Sequence, residues 1–351
     1  MAEIGRLITA MVTPFDAQGK VDLRQAKRLA LALVDSGSDG VVVSGSTGEA
    51  PTLTTEEKLA LFTEIKSAIG KKASVIAGTG NYSTEESIEL TKRAEKTGVD
   101  AVLLTTPYYN KPTQEGLYQH FSHIANSIKL PCILYNIPGR SVVAISGETT
   151  VRLSHVPNII GTKDAGSNLK EIAYIIQNAR PGFIVWSGND EDTIPIMALG
   201  GYGVISVVAH LVGKQFKEMI DLFNAGNTKK AAEIHRKLLP LMNAMTVVTN
   251  PIPVKYALNR VGFSVGGYRL PLTPADEKSA AVIDAALKGV KIDLSVGTIS
   301  KSEQIRNYAK MKMTNGQIAK KMGIRPQFVS NVLNRPLKRA EVLRSERRAS
   351  A

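Results

Sequence analysis

Cysteine is almost missing from this chain. A single one, Cys132, stands among 351 residues, so no intrachain disulfide and no thiolate metal cluster can form. A reducing, cytoplasmic setting is the expectation. Histidine is sparse too: the five are scattered in no metal-ligand spacing, and neither a metal nor another cofactor is expected. No run of about 18 apolar residues occurs, which excludes a transmembrane helix and predicts no membrane partner. Glu3 and Arg6 stand where a secretory leader would be apolar, so no leader is expected. Acidic residues are few at one end. Residues 301–351 hold 13 Lys and Arg against 3 Asp and Glu, so +10 of the formal net charge of +13 lies there and the first 300 residues are nearly neutral. Such asymmetry points to an appended element with a partner of its own.

What is present describes a folded protein. A hydrophobic content of 43% with 21% charged residues excludes a disordered chain. Short β-branched apolar runs recur at Ile8–Phe15, Gly40–Ser46, Val75–Gly80, Ala101–Pro107, Cys132–Pro138, Ile159–Ala165, Phe183–Asp190 and Gly203–Val208. Each has strand length and is continuously apolar, as buried parallel strands are. Helical patterns lie between them. Thr54 with Glu57 and Ser83 with Glu86 read as capping boxes, and Leu59, Phe62, Ile65 and Ile69 share one helix face.

Eight strands alternating with helices predict an α/β fold, a (β/α)8 TIM barrel over residues 1–210. An open doubly wound sheet is the alternative, but its Gly-rich phosphate turn is absent. Residues 211–290 read as a C-terminal helical region of the same domain, including Lys214–Asn224 and Thr228–Val248. Residues 291–300 read as a linker, 301–335 as a small all-α appendix, and 336–351, with Arg344, Arg347 and Arg348, as a disordered basic end.

In such a barrel the chemistry sits where strands end. Lys163 follows an apolar strand and would point its amine into the barrel mouth, where desolvation favours the neutral, nucleophilic form. A lysine snorkelling from the rim is the plainer alternative. Tyr135, at the neighbouring strand end, offers a phenol to shuttle protons, or is an aromatic core residue. Ser46, Thr47 and Tyr109 supply hydroxyls, or cap loops. Arg140, after a Pro-Gly turn, offers a fork suited to a carboxylate, or lies solvated on the rim. Together these residues read as imine chemistry on a carboxylated carbonyl compound.

Those residues sit in segments that carry a resemblance: ITAMVTPF at 8–15, GSTGEAPTL at 45–53, TPYYNKPTQEGLYQHF at 106–121, YNIPGR at 135–140, GTKDAG at 161–166 and GVISV at 203–207. Residues 1–290 resemble the dihydrodipicolinate synthase / N-acetylneuraminate lyase family of pyruvate-dependent class I aldolases, most closely its synthase branch. The resemblance implies condensation of pyruvate with aspartate semialdehyde, the opening step of lysine and diaminopimelate synthesis. It implies that Lys163 forms the Schiff base and Tyr135 shuttles protons. Ser46 and Tyr109 would complete the relay, Tyr109 reaching into a neighbouring subunit of a homotetramer built as a dimer of dimers. Thr47 would bind the pyruvate carboxylate and Arg140 that of the aldehyde. The Ile205 carbonyl would face the lysine, and Gly188 would lie at the same pocket. Another pyruvate-dependent aldolase is the alternative within the family, although the Pro-Gly-Arg turn disfavours a sialic-acid substrate.

Three departures stand out. Ser46 replaces the usual threonine. The segment after the lysine is shortened to Asp164-Ala165-Gly166. Thr55, Lys58 and Tyr82 occupy positions resembling a lysine-inhibitor pocket, where Glu86 and Tyr108 do match, so weak lysine feedback is expected.

The tail has its own pattern. Ile318, Met322, Ile324, Val329 and Val332 are apolar, Ala319 and Gly323 sit four apart, and Val329 follows six later. This is helix-turn-helix spacing, with Thr314 and Gln317 as a capping box and Pro326 opening the second helix. Ser302–Met311, carrying Ile305, Tyr308 and Ala309, would supply a third helix. Lys310, Lys312, Lys320, Lys321, Arg325 and Arg335 make the surface basic, and Gln327, Asn331 and Asn334 are types that read adenine. DNA contact through 301–335 is the expectation, set against a helical docking module or a nonspecific basic tail. A DNA-binding regulator that uses the barrel as a metabolite sensor is the rival for the whole chain.

Overall fold

A computed structural model describes residues 4–295, 301–310 and 313–334. At its centre are eight strands, β1 (Leu7–Ala10), β2 (Gly40–Val43), β3 (Ser74–Gly78), β4 (Ala101–Thr105), β5 (Cys132–Asn136), β6 (Ile159–Asp164), β7 (Ile184–Ser187) and β8 (Gly203–Ser206). Neighbours in sequence pair in parallel, and β8 closes onto β1. The expected (β/α)8 barrel is therefore the fold. Each strand is shorter than the apolar run announcing it, because the chain leaves the ladder before polar mouth residues such as Ser46 and Asp190.

The helices between strands are α1 (Leu23–Asp35), α2 (Thr55–Ile69), α3 (Thr84–Glu95), α4 (Gln114–Asn126), α5 (Pro138–Ser141), α6 (Gly147–Ser154), α7 (Leu169–Asn178) and α8 (Thr193–Ala198). After β8 come α9 (Ala209–Asn224), α10 (Thr228–Ala244), α11 (Ile252–Arg260) and α12 (Glu277–Lys288). The capping box at α2 forms in full. At α3 only half forms: Ser83 accepts from the Glu86 amide, while the Glu86 carboxylate accepts from Asn81 Nδ2 at 2.5 Å. On α2 the buried stripe is Leu61, Phe62, Ile65 and Ile69; Leu59 falls off it, because the helical period places 61 on the inward row.

Alternate strand residues fill the barrel, among them Ile8, Val42, Ile76, Leu103, Ile133, Tyr135, Trp186 and Ile205. Trp186, the chain's one tryptophan, is fully buried, and its Nε1 donates to the Gly5 carbonyl at 3.0 Å. Gly161 makes room for it: a Cβ there would stand 2.8 Å from the indole and 2.3 Å from the Ile184 carbonyl oxygen. His210, fully buried at the start of α9, ties two loops together. Its Nε2 accepts from the Val12 amide at 3.2 Å and its Nδ1 donates to the Val207 carbonyl at 2.8 Å.

A second compact unit holds residues 258–264 together with the described tail residues 301–310 and 313–334. Its described tail helices are α13 (Lys301–Lys310), α14 (Asn315–Met322) and α15 (Pro326–Leu333). Ile305, Ile318, Ala319, Val329 and Val332 form a core, with Tyr308, Ala309, Met322 and Ile324 packed against it. Thr314 and Gln317 make a full capping box, and Gly323, at φ +62°, ends α14 in the left-handed conformation that glycine adopts without strain. Met311, Lys312 and Arg335, the linker positions 296–300 and the basic end 336–351 lie outside the described residues. Among the described residues, no helix is long and apolar enough to cross a membrane.

The buried histidines set an acid limit. Burial holds His210 at about 4 against an ordinary 6.5, and does the same to His120. The unfolded chain therefore takes up protons that the fold refuses as pH falls from 6.5 to 4. Stability should drop across that window by about 1.4 kcal/mol per pH unit for each histidine. Urea unfolding from pH 7 to 4 should show this, with a shallower drop in His210→Gln; parallel profiles would contradict it.

Candidate active site

The barrel register brings Lys163 and Tyr135 together. They are direct partners on β6 and β5, so their side chains leave the same face of the ladder. Both are almost completely buried, and the Lys163 ammonium stands 4.2 Å from the centroid of the Tyr135 ring. The ring's negative face attracts a cation at that distance. Ile205 shares the barrel interior with Tyr135.

The loop after β2 supplies Ser46 and Thr47, and it is held by charge. Glu49, in a left-handed turn at φ +57°, forms an ion pair with Lys255 of α11 at 2.7 Å, with both side chains fully buried. Lys255 also donates to the Thr13 carbonyl at 3.0 Å, and the Thr13 hydroxyl donates to the Gly48 carbonyl at 2.6 Å. Burial lowers the Lys255 amine to about 8, against the opposing pull of Glu49. The second Glu49 oxygen accepts from the Arg269 amide at 3.1 Å. Ser46 is half-buried, and its carbonyl accepts from the Glu49 amide at 3.1 Å.

Thr47 is buried, and its hydroxyl oxygen accepts from Asn250 Nδ2 at 2.8 Å. The Asn250 carbonyl in turn accepts from Arg140 Nη2 at 2.8 Å. Asn250 thus bridges the two side chains expected to hold carboxylates. Arg140 is exposed on the short helix α5.

The β6 and β7 ends are braced by buried carboxylates. Asp164 accepts from Asn136 Nδ2 at 2.7 Å and from the Gly166 amide at 2.9 Å, which closes the shortened turn after Lys163. A serine still follows: the Ser167 hydroxyl donates to Asp192 at 2.6 Å. Asp190 Oδ2 accepts from the Val207 and Val208 amides at 3.1 and 2.9 Å and so holds the exit loop of β8. Burial pushes the Asp190 carboxyl up, opposed by hydrogen bonds from Ser206 and those amides and by the charge of Lys163. Gly188 has no room for a side chain: a Cβ would stand 2.7 Å from that of Ala165, and its amide is engaged by the Asp164 carbonyl at 2.6 Å.

Tyr109 is not brought to this cluster within one chain. It stands 92% exposed, at a φ of +76° that an aromatic residue rarely adopts. Its neighbour Tyr108 turns inward and meets Tyr82 edge-on, with ring centroids 5.3 Å apart. Lys58 is lowered by burial, with the charge of Glu86 opposing.

Spacing along the chain did not reveal Asn250, Lys255 or Asp190. Lys255 could have been suspected only because Glu49 is an ionisable residue in an otherwise small and polar loop. In the second unit, Lys320, Arg325, Gln327, Asn331 and Asn334 are all exposed. Lys321 is exposed as well, while its amine donates to the Arg260 carbonyl at 2.9 Å and lies 4.9 Å from the Tyr308 ring centroid.

Residues 3–290 match the profile of the Dihydrodipicolinate synthetase family. A 4-hydroxy-tetrahydrodipicolinate synthase of Dehalococcoides mccartyi is 62% identical over 296 residues, covering 84% of this chain and 100% of its own. The Moorella thermoacetica synthase is 53% identical over 284 residues, covering 81% and 97%. Among solved structures, a dihydrodipicolinate synthase from Bacillus anthracis aligns with a TM-score of 0.81 at 46% identity, over 83% of this chain and 99% of that one. A chloride-inhibited synthase from Acinetobacter baumannii complexed with pyruvate aligns with a TM-score of 0.80 at 43% identity, over 82% and 99%.

Removing the Lys255 charge alone should strand Glu49 in the interior. Lys255→Met is expected to lose about 3–5 kcal/mol of stability, and adding Glu49→Gln should restore part of it. Urea unfolding of both variants measures this; a loss under about 1 kcal/mol in Lys255→Met would deny the pair its bracing role.

Proposed function

The chain belongs to the dihydrodipicolinate synthetase family, and on that premise we propose that Lys163 carries its reaction by forming a Schiff base with pyruvate. The activity is that of a 4-hydroxy-tetrahydrodipicolinate synthase, a lyase that condenses pyruvate in lysine biosynthesis. The carrying observation is the buried Lys163 amine over the Tyr135 ring.

The neutral amine attacks the ketone carbon of pyruvate. The carbinolamine oxygen takes up a proton and leaves as water, giving the imine. Loss of a methyl proton turns the imine into an enamine, whose carbon attacks the aldehyde of aspartate semialdehyde. The amino group of that substrate then displaces the Lys163 amine, which closes the ring. Tyr135 carries protons at these steps, with Ser46 and Tyr109 extending the relay. Thr47 and the exposed fork of Arg140, joined through Asn250, hold the carboxylates of pyruvate and the aldehyde. The Ile205 carbonyl and Gly188 complete the pocket wall.

The exposure of Tyr109 supports assembly with further copies of this chain, into whose site its phenol reaches; a homotetramer built as a dimer of dimers has this property. Buried Cys132, the only cysteine, fits a reducing cytoplasm.

A second reading concerns residues 301–335, which lie beyond the family match, carry a core of their own and belong to the stretch 301–351 whose net charge is +10. They contact DNA through a helix-turn-helix formed by α14 and α15. Lys320 and Arg325 meet phosphates, and Gln327, Asn331 and Asn334 face bases.

Borohydride reduction with pyruvate should leave an adduct that peptide mass spectrometry maps to Lys163. Lys163→Ala should lose the adduct and about a thousandfold or more in kcat, and Tyr135→Phe about 10²–10⁴ in kcat. An adduct on another lysine would overturn the assignment. For the tail, duplex binding by the full chain should weaken steeply with salt and be lost on truncation to residues 1–297. Equal affinity of the truncated chain would overturn DNA contact.

A further inference from the structure

Helix α15 presents an outer face that its own core does not use. Val329 and Val332 turn inward, while Gln327, Phe328 and Asn331 are exposed. Phe328 is 44% exposed and stands outside the core that Val329 and Val332 join. Gln327 Nε2 donates to Asn331 Oδ1 at 3.1 Å, one helical turn on. Among the described residues, that bond leaves the pair with a free acceptor, Gln327 Oε1, and a free donor, Asn331 Nδ2. Adenine offers the complement on its major-groove edge, the N6 amino group and N7, and the methyl of its partner thymine takes an apolar contact. The helix is also held in place: Asn315 Nδ2 of α14 donates to Ser330 Oγ at 2.9 Å.

Resting on the reading that this unit contacts DNA, we propose that α15 reads sequence in duplex DNA. The linked amides of Gln327 and Asn331 pair with an adenine, and Phe328 packs against a thymine methyl. The positive charge of the unit supplies attraction to phosphate but carries no sequence information. The exposed amide pair and the exposed aromatic supply what charge cannot.

The test is selection of a randomised duplex library by the full-length chain. An enriched motif containing an A·T pair is expected. Asn331→Ala and Phe328→Ala should each weaken binding to that motif by about 5- to 150-fold, with bulk duplex affinity and pyruvate turnover unchanged. Both positions are exposed, so neither substitution removes a core side chain. Uniform recovery of all duplexes would overturn base reading while leaving phosphate contact standing. An enriched motif without adenine would overturn the amide pairing. No retention of any duplex, or preference for RNA, would overturn the underlying reading together with this one.

Discussion

In a closed parallel barrel every second residue of a strand points to the axis, and no edge lets a strand slip by one position. Ile133 and Tyr135 on β5 obey that parity, as do Gly161 and Lys163 on β6. The lysine therefore reaches the interior because the ladder closes, and the tyrosine ring lies beside it because the register pairs the two. The strands end within a residue or two of this layer. The groups beyond this layer, such as Ser46, Thr47 and Arg140, come from the segments that follow the strands, and those segments must be stiffened by other means.

Buried charge supplies the stiffness. Glu49 and Lys255, and Asp164 and Asp190 with their partners, sit at the exits of β2, β6 and β7. A buried charge left unpaired is far more destabilising than a hydrophobic swap, so each group tolerates few alternative loop positions. One oxygen of Asp190 holds the β8 exit loop, and the nearby charge of Lys163 opposes the rise that burial gives its carboxyl.

Much of this was legible in the chain itself. Eight short β-branched runs separated by helical patterns admit few folds, and Lys163, Tyr135, Thr47 and Arg140 all stand at strand ends or in the loops that follow. What resisted reading were contacts between distant segments. Asn250 and Thr47 are 203 positions apart, and no spacing rule joins them. Lys255, within an apolar helical stretch, reads as a surface lysine until the loop of Glu49 is laid against it. The half-formed box at α3 failed for a local reason: Asn81, two residues before the cap, competes for the Glu86 carboxylate.

Trp186 gives the molecule an internal optical probe. It is the chain's one tryptophan, fully buried, and it is the register partner of Lys163 on β7. Its emission comes from a single environment, one strand away from the Lys163 amine. Changes in that environment can therefore be followed in the unlabelled chain, while the tail contributes no indole to the signal.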